Sequence, residues 1–449
     1  MKKLIPTALV MLLIAAMFAN GITPTYIISA PGVASGMGAK LLCSARYVSG
    51  FSQQQAFADL VQYSAILDRL DVEYNEEART VSTSFFGLAP TTATYVEGLG
   101  CANDYDGYPQ RSELSVTTLP VLTSRWPHGD RVETIDSALQ SLTDSLIAQD
   151  NSANLDTRAL LVVHRGNIVA ESYAQGATSS TPLLGWSMAK SLMSVMIGNL
   201  EYRGLLSADE PAGFVQWQDD ERREISIRQL LTMTDGLDFS EEYNPGDDAT
   251  AMLFTEASAS DYALSRRVAE EPGTQFNYSS GTANILSRLY FDKTGATLAD
   301  SLRDYRTQIA VPLSFQHGIF ETDASGVLMG SSYLYAPARD WARLGQLMLN
   351  KGVLNGARVV SEEWVAESVQ PNSSANSKAY GYQWWLNSDG SGEAVRWTDL
   401  PVDAYSAQGN RQQFVMVIPS ADMVIVRLGW TSGAYPANAR FAQIMQALQ

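Results

Sequence analysis

Apolar residues along this chain follow two rhythms. From Ala159 they come in short runs, Leu160-Leu161-Val162-Val163-His164, a polar break Arg165-Gly166-Asn167, then Ile168-Val169-Ala170-Glu171-Ser172-Tyr173. Short β-branched runs on either side of a Gly-containing turn predict a β-hairpin. The same signature returns near the C-terminus, with Gln413–Ile418 and Met423–Leu428 flanking Pro419-Ser420-Ala421-Asp422, and Ala437–Leu448 reads as a closing helix. In between, apolar positions recur at helical spacing in Ile227–Met233, Thr282–Tyr290 and Ala338–Leu349. Strands at both ends with a helical middle predict an α/β (α+β) unit over residues 156–449. Its core would be a central antiparallel sheet flanked by helices, with an inserted helical lobe. A cleft between sheet and lobe is the natural place for a site.

The pattern before residue 156 is of a different kind. Residues 22–155 read as an N-terminal extension. Helical spacing covers Gln53–Leu70, through Phe57, Leu60, Val61, Ala65, Leu67 and Leu70. Strand-like alternation follows at Thr80–Phe86, then a polar, turn-rich stretch at Asn103–Pro109. A helix is predicted over Val132–Ala148, with Ile135, Leu139, Leu142 and Ile147 as its stripe. Three roles are open to this extension: capping the cleft, joining a homodimer, or packing on the sheet. At the start, Lys2 and Lys3 precede an apolar run from Leu4 to Ala19. That layout predicts a secretory signal over residues 1–21, and the run is short against the roughly 20 residues of a membrane span. The expected location is therefore periplasmic or secreted, with membrane attachment only if the segment stays uncleaved as an anchor.

Composition narrows the partners. The 449 residues are 45% hydrophobic and carry a formal net charge of −17. That charge repels nucleic acid and anionic lipid surfaces. Cys43 and Cys101 are the only cysteines. In an exported protein two cysteines usually pair, and here they would staple the extension; two buried free thiols is the other reading. Three scattered histidines and two cysteines form no metal-ligand cluster, and there is no Gly-rich phosphate loop, so no metal and no cofactor are expected.

The candidate chemistry sits in Gly185-Trp186-Ser187-Met188-Ala189-Lys190, ahead of an apolar helical stretch running to Leu200. Residues three apart on a helix are neighbours, so the Lys190 amine can reach the Ser187 hydroxyl. A serine is a weak nucleophile until a base takes its proton. A lysine serves as that base when burial disfavours its charged form. A serine at a helix start also has free backbone N–H groups beside it, which suit a developing oxyanion. The chain's seven lysines contain no second Ser-x-x-Lys. A rival reading takes Gly185-x-Ser187-x-Ala189 as an imperfect nucleophile elbow. That scheme needs a late histidine, and only His128, His164 and His317 exist. A third group must carry protons to a leaving group, and Tyr278 in Phe276-Asn277-Tyr278-Ser279-Ser280-Gly281 is the candidate.

Ser-x-x-Lys, then Tyr-x-Ser, then a Gly-containing strand late in the chain resembles the serine hydrolases related to class C β-lactamases and penicillin-binding proteins. The phrases Ile227–Leu237, Tyr380-Gly381-Tyr382-Gln383-Trp384-Trp385 and Gln408-Gly409-Asn410 fit as well. The branch it is most similar to is that of 6-aminohexanoate-dimer hydrolase and its esterase relatives, over about residues 155–449. The resemblance implies a β-lactamase/transpeptidase-like fold. It implies Ser187 as the acylated nucleophile, Lys190 as its base, Tyr278 as proton shuttle, and the backbone N–H groups of Ser187 and Asn410 as oxyanion donors. It places Tyr243, Gln408, Gly409 and Trp385 at the substrate, with Trp186 and Trp384 either beside it or in the core. Two departures matter. Ala407-Gln408-Gly409 stands where the β-lactamases carry Lys-Thr-Gly, whose lysine holds the substrate carboxylate, and Arg411 is the cation nearby. Ser280 stands where they carry Asn. Both favour a small-molecule ester or small amide as substrate. The alternatives are a D-amino-acid peptidase or penicillin-binding-type enzyme, and a non-catalytic sensor or binding protein on the same fold.

Overall fold

The computed structural model describes residues 23–108 and 119–448. The expected signal or anchor at 1–21 lies outside the described residues, as does Pro109.

Six antiparallel strands make the central sheet. β5 (Thr157–His164) and β6 (Asn167–Tyr173) form the first hairpin, and four strands from the far end of the chain complete it: β7 (Trp385–Leu386), β8 (Tyr405–Gly409), β9 (Gln413–Ile418) and β10 (Met423–Gly429). Their spatial order is β7-β8-β9-β10-β5-β6. β10 pairs with β5, so the two ends of the unit close on each other.

The strands are largely apolar because both faces are covered. Side chains alternate across a strand. Leu161, Val163, Val415, Val417, Val424 and Val426 point to one core, and Leu160, Val162, Met416, Ile418 and Ile425 to the other. The second core is closed by α3 (Ser137–Ser152) and α7 (Ala437–Gln446). The first receives α4 (Met188–Tyr202), α5 (Ser280–Lys293) and α6 (Ala338–Leu349).

Two sequence expectations need correction. The helix expected over Val132–Ala148 runs from Ser137 to Ser152. Asp136 sets the start, because its carboxylate accepts the Ala138 and Leu139 N–H groups at 2.9 Å. The helix expected over Gln53–Leu70 is α2 (Gln53–Val61) only. A 3₁₀ turn at Ala65–Arg69 follows, and Leu70 opens β1 (Leu70–Asn75), where it faces Phe85 across the ladder.

The extension also holds a helix that the residue pattern hides. α1 (Pro24–Tyr47) is capped by Thr23 and contains Pro31. It packs against a four-stranded meander of β1, β2 (Thr80–Phe85), β3 (Leu88–Val96) and β4 (Gly100–Asn103). Its Gly36 presses on the helical lobe, where an added Cβ would lie 2.0 Å from the Phe254 carbonyl. A disulfide joins Cys43 of α1 to Cys101 of β4. One turn away, Lys40 forms a buried ion pair with Glu321 of the lobe. Glu321 also accepts from Ser44 Oγ at 2.9 Å and the Cys101 N–H at 2.6 Å. These contacts tie α1 and β4 to the lobe.

Removing one partner of a buried pair strands the other charge. Lys40→Met is expected to lose about 3–5 kcal/mol of unfolding free energy in urea denaturation. A loss well below that range would show that α1 is held by other contacts.

Candidate active site

Ser187 is the residue immediately before α4, with helical φ −62° and ψ −7°, and its hydroxyl makes no capping bond to the helix. That hydroxyl is left free for chemistry. Lys190 lies in the first turn and is 1% exposed. Its amine donates to Ser187 Oγ at 3.1 Å, Ser280 Oγ at 3.0 Å and the Ser331 carbonyl at 2.9 Å. Burial lowers its pKa to about 8, while the nearby charge of Glu241 pulls the other way. Met188–Leu200 of α4 is buried throughout, so the amine sits in apolar surroundings.

Tyr278 arrives on the loop before α5. The Lys190 amine sits 5.0 Å from the centre of its ring. Trp385 stacks on Tyr278 with centroids 5.2 Å apart, and Tyr380 meets it edge-on at 6.0 Å. Burial, then the Glu241 charge, pushes the phenol well above its usual range, against an opposing hydrogen-bonding effect of the Ser187 hydroxyl. In the resting site Tyr278 therefore holds its proton at neutral pH.

The late strand β8 closes the third side. An added Cβ on Gly409 would lie 2.1 Å from the Gly185 carbonyl and 3.2 Å from the Ser187 nitrogen, so only glycine permits this approach. Asn410 follows in the exposed hairpin turn. Among the described residues, neither the Ser187 nor the Asn410 N–H has a backbone acceptor. Gln408 is half-buried and spends its amide on Ser406 Oγ at 3.0 Å. Of the three tryptophans, Trp384 is core, packed on Tyr405 at 5.5 Å, while Trp385 borders Tyr278. Trp186 is also buried. Arg411 lays its guanidinium 3.9 Å from the centre of the Tyr63 ring.

Tyr243 is half-exposed, and its hydroxyl donates to Glu241 Oε1 at 2.8 Å. The sequence singled out Tyr243 and passed over Glu241. Glu241 is the better connected of the two. It accepts the Ser280 hydroxyl on Oε1 at 2.5 Å and the Ser280 N–H on Oε2 at 2.6 Å, at the start of α5. A chain of hydrogen bonds therefore runs Lys190–Ser280–Glu241–Tyr243. In Ser240-Glu241-Glu242-Tyr243 nothing local separates Glu241 from Glu242. The three histidines take no part: His128 bonds Ser124, His317 faces Asp130, and His164 ends β5. Among the described residues, no cluster of His, Cys, Asp or Glu could hold a metal ion.

In an NMR titration of ¹⁵N-lysine-labelled protein, Lys190 is expected to titrate near pH 8. Glu241→Gln removes a charge that favours the ammonium form and should move the midpoint lower. A midpoint at the ordinary 10.5, or an upward move in the variant, contradicts this account of the site.

Comparison with known proteins agrees with the geometry. Residues 143–448 match the Beta-lactamase family. The 6-aminohexanoate-dimer hydrolase of Paenarthrobacter ureafaciens is 26% identical over 298 residues, covering 61% of this chain and 72% of that protein. A family VIII carboxylesterase superposes with a TM-score of 0.54 at 14% identity, over 71% of this chain and 100% of that one. A class C beta-lactamase gives 0.52 at 13% identity, over 69% and 96%. With the family matched over most of its length and the same fold found in its structural neighbours, this chain belongs to the beta-lactamase family of serine hydrolases.

Proposed function

We propose that this protein is an acyl-enzyme-forming hydrolase of carboxylic esters or small amides, with Ser187 as nucleophile, Lys190 as base and Tyr278 as proton donor. The observation that carries the reading is the buried Lys190 amine, 3.1 Å from Ser187 Oγ, with its pKa lowered to about 8.

The hydrogen-bond directions give the base its orientation. Ser280 has one hydroxyl proton and gives it to Glu241, so toward Lys190 it accepts. A neutral Lys190 has two N–H bonds, and the Ser331 carbonyl and Ser280 Oγ take them. Its lone pair then faces Ser187. The alkoxide forms as Lys190 takes the proton, and attacks the substrate carbonyl. The resulting oxyanion is held by the Ser187 and Asn410 N–H groups. Tyr278 protonates the leaving alkoxide or amine and recovers a proton from the Lys190 ammonium. Water resolves the ester left on Ser187 by the reverse relay.

The charge of the site supports esters and amides over β-lactams and cell-wall peptides, whose carboxylates need a cation. Ala407 stands where that cation would be in the late strand, and Glu241 adds a negative charge beside Lys190 and Tyr278. The relatives named as a 6-aminohexanoate-dimer hydrolase and a carboxylesterase support the same substrate class. The Cys43–Cys101 disulfide supports an oxidising, periplasmic or extracellular location.

On a p-nitrophenyl ester, Ser187→Ala is expected to lower kcat by at least about 10³-fold. Tyr278→Phe should lower it by about 10²–10⁴-fold. Intact-mass measurement should find the acyl group on the wild type alone. Equal hydrolysis by wild type and Ser187→Ala would end the proposal. A penicillin that stays covalently attached to Ser187 would redirect it to a penicillin-binding enzyme.

A further inference from the structure

The extension before residue 143 lies outside the matched family span, yet one of its side chains reaches both backbone corners of the site. We propose that Tyr63 is a positioning residue: its ring clamps Trp186 and Arg411 and so fixes the gap between the Ser187 and Asn410 N–H groups. The inference rests on reading those two groups as the oxyanion donors.

Each donor adjoins a residue in an unusual conformation. Trp186, directly before Ser187, has φ +48°. Arg411 and Gln412, directly after Asn410, have φ +59° and +66°. Bulky residues seldom adopt the left-handed region, and keep it only where the surroundings over-determine it. At both corners Tyr63 is part of those surroundings. The Trp186 indole meets the Tyr63 ring edge-on at 6.1 Å, and Tyr333 at 6.0 Å on another side. The Arg411 guanidinium lies over the face of the same Tyr63 ring at 3.9 Å.

Besides Tyr63, the Arg411 guanidinium faces the Trp430 ring at 5.8 Å. It is 8% exposed, and among the described residues its Nε has no acceptor. A cation in that state is stabilised by a ring face. Tyr63 is in turn gripped from its own side. Trp430 meets it edge-on at 5.7 Å, and the Trp430 indole N–H donates to the Asp59 carbonyl of α2 at 2.9 Å. The Asp59 carboxylate is paired with Arg158 of β5 at 2.6 Å. These contacts run from the extension through Tyr63 to both corners. The corners themselves have no slack, because Gly409 packs directly on the Gly185 carbonyl and the Ser187 nitrogen. A small shift of either corner changes the distance between the two donors. Among the described residues the Tyr63 hydroxyl makes no well-formed hydrogen bond, although Arg411 and Trp186 lie near enough to oppose the rise that burial causes in its phenol. The face and edge of the ring make the close contacts.

The test compares Tyr63→Ala, Tyr63→Phe and Ser187→Ala in the full chain, with rates counted per site labelled by an alkyl fluorophosphonate so that unfolded molecules drop out. Tyr63→Ala is expected to lose about tenfold or more in kcat on a p-nitrophenyl ester with KM within about twofold. It should weaken inhibition by an alkyl boronic acid, whose tetrahedral adduct needs the same two donors, by a similar factor. Tyr63→Phe should stay within about twofold of wild type, since it keeps the ring. An unchanged kcat per labelled site in Tyr63→Ala, or a loss confined to KM with boronate affinity intact, overturns the proposal while leaving Ser187 as the nucleophile. Wild-type activity in Ser187→Ala would instead bring down the nucleophile assignment, and this inference with it.

Discussion

The site depends on keeping one amine dry. Lys190 is enclosed by the wall of α4, by Ser280 at the start of α5 and by the Ser331 carbonyl, with Ser187 Oγ 3.1 Å away. Withdrawing a lysine from water disfavours its charge, and a fall in pKa to about 8 corresponds to roughly 3 kcal/mol. The same enclosure supplies three oxygens at hydrogen-bond distance, so the charged form is tolerated when it appears. A base must be poised in this way to take a proton and give it back within one cycle.

Much of the fold can be understood as support for that enclosure. The sheet is buried on both faces, which lets one face hold α4, α5 and α6 without exposing strand surface. β8 then delivers Gly409 against the backbone of Gly185 and Ser187, where any side chain would collide. Two polar groups of α4 are bonded outward to other loops, Ser191 to the Gln383 carbonyl and Asn199 to the Val359 carbonyl, which helps fix the helix that carries the lysine.

Glu241 introduces a tension that the burial of Lys190 alone would not. It raises the lysine's affinity for a proton and raises the Tyr278 phenol further. It reaches Lys190 through the Ser280 hydroxyl, so its charge is coupled to the amine while the amine remains free of a direct ion pair. The result is an amine with a lowered pKa beside a phenol with a raised one, two titrating groups driven apart by their surroundings.

Some of this was legible in the chain. The runs at 159–173 and 413–428 marked four of the sheet's six strands, because strands covered on both faces are mainly apolar. The spacing of Ser187 and Lys190 determined their contact, because a helix brings residues three apart together whatever surrounds it. Other features left no local mark. α1 is rich in Gly, Ala and Ser and interrupted by Pro31-Gly32, so its helix is stabilised by burial against β1–β4 and the lobe and shows no amphipathic stripe. Glu241 was indistinguishable from Glu242 until the start of α5 was placed beside it. Tyr63 looked like one more aromatic residue near a helix end, and its contacts with Trp186 and Arg411 span more than a hundred residues in each case. Short-range periodicity can state which residues share a face. Which groups from distant segments meet at a buried charge is decided only when the whole chain has packed.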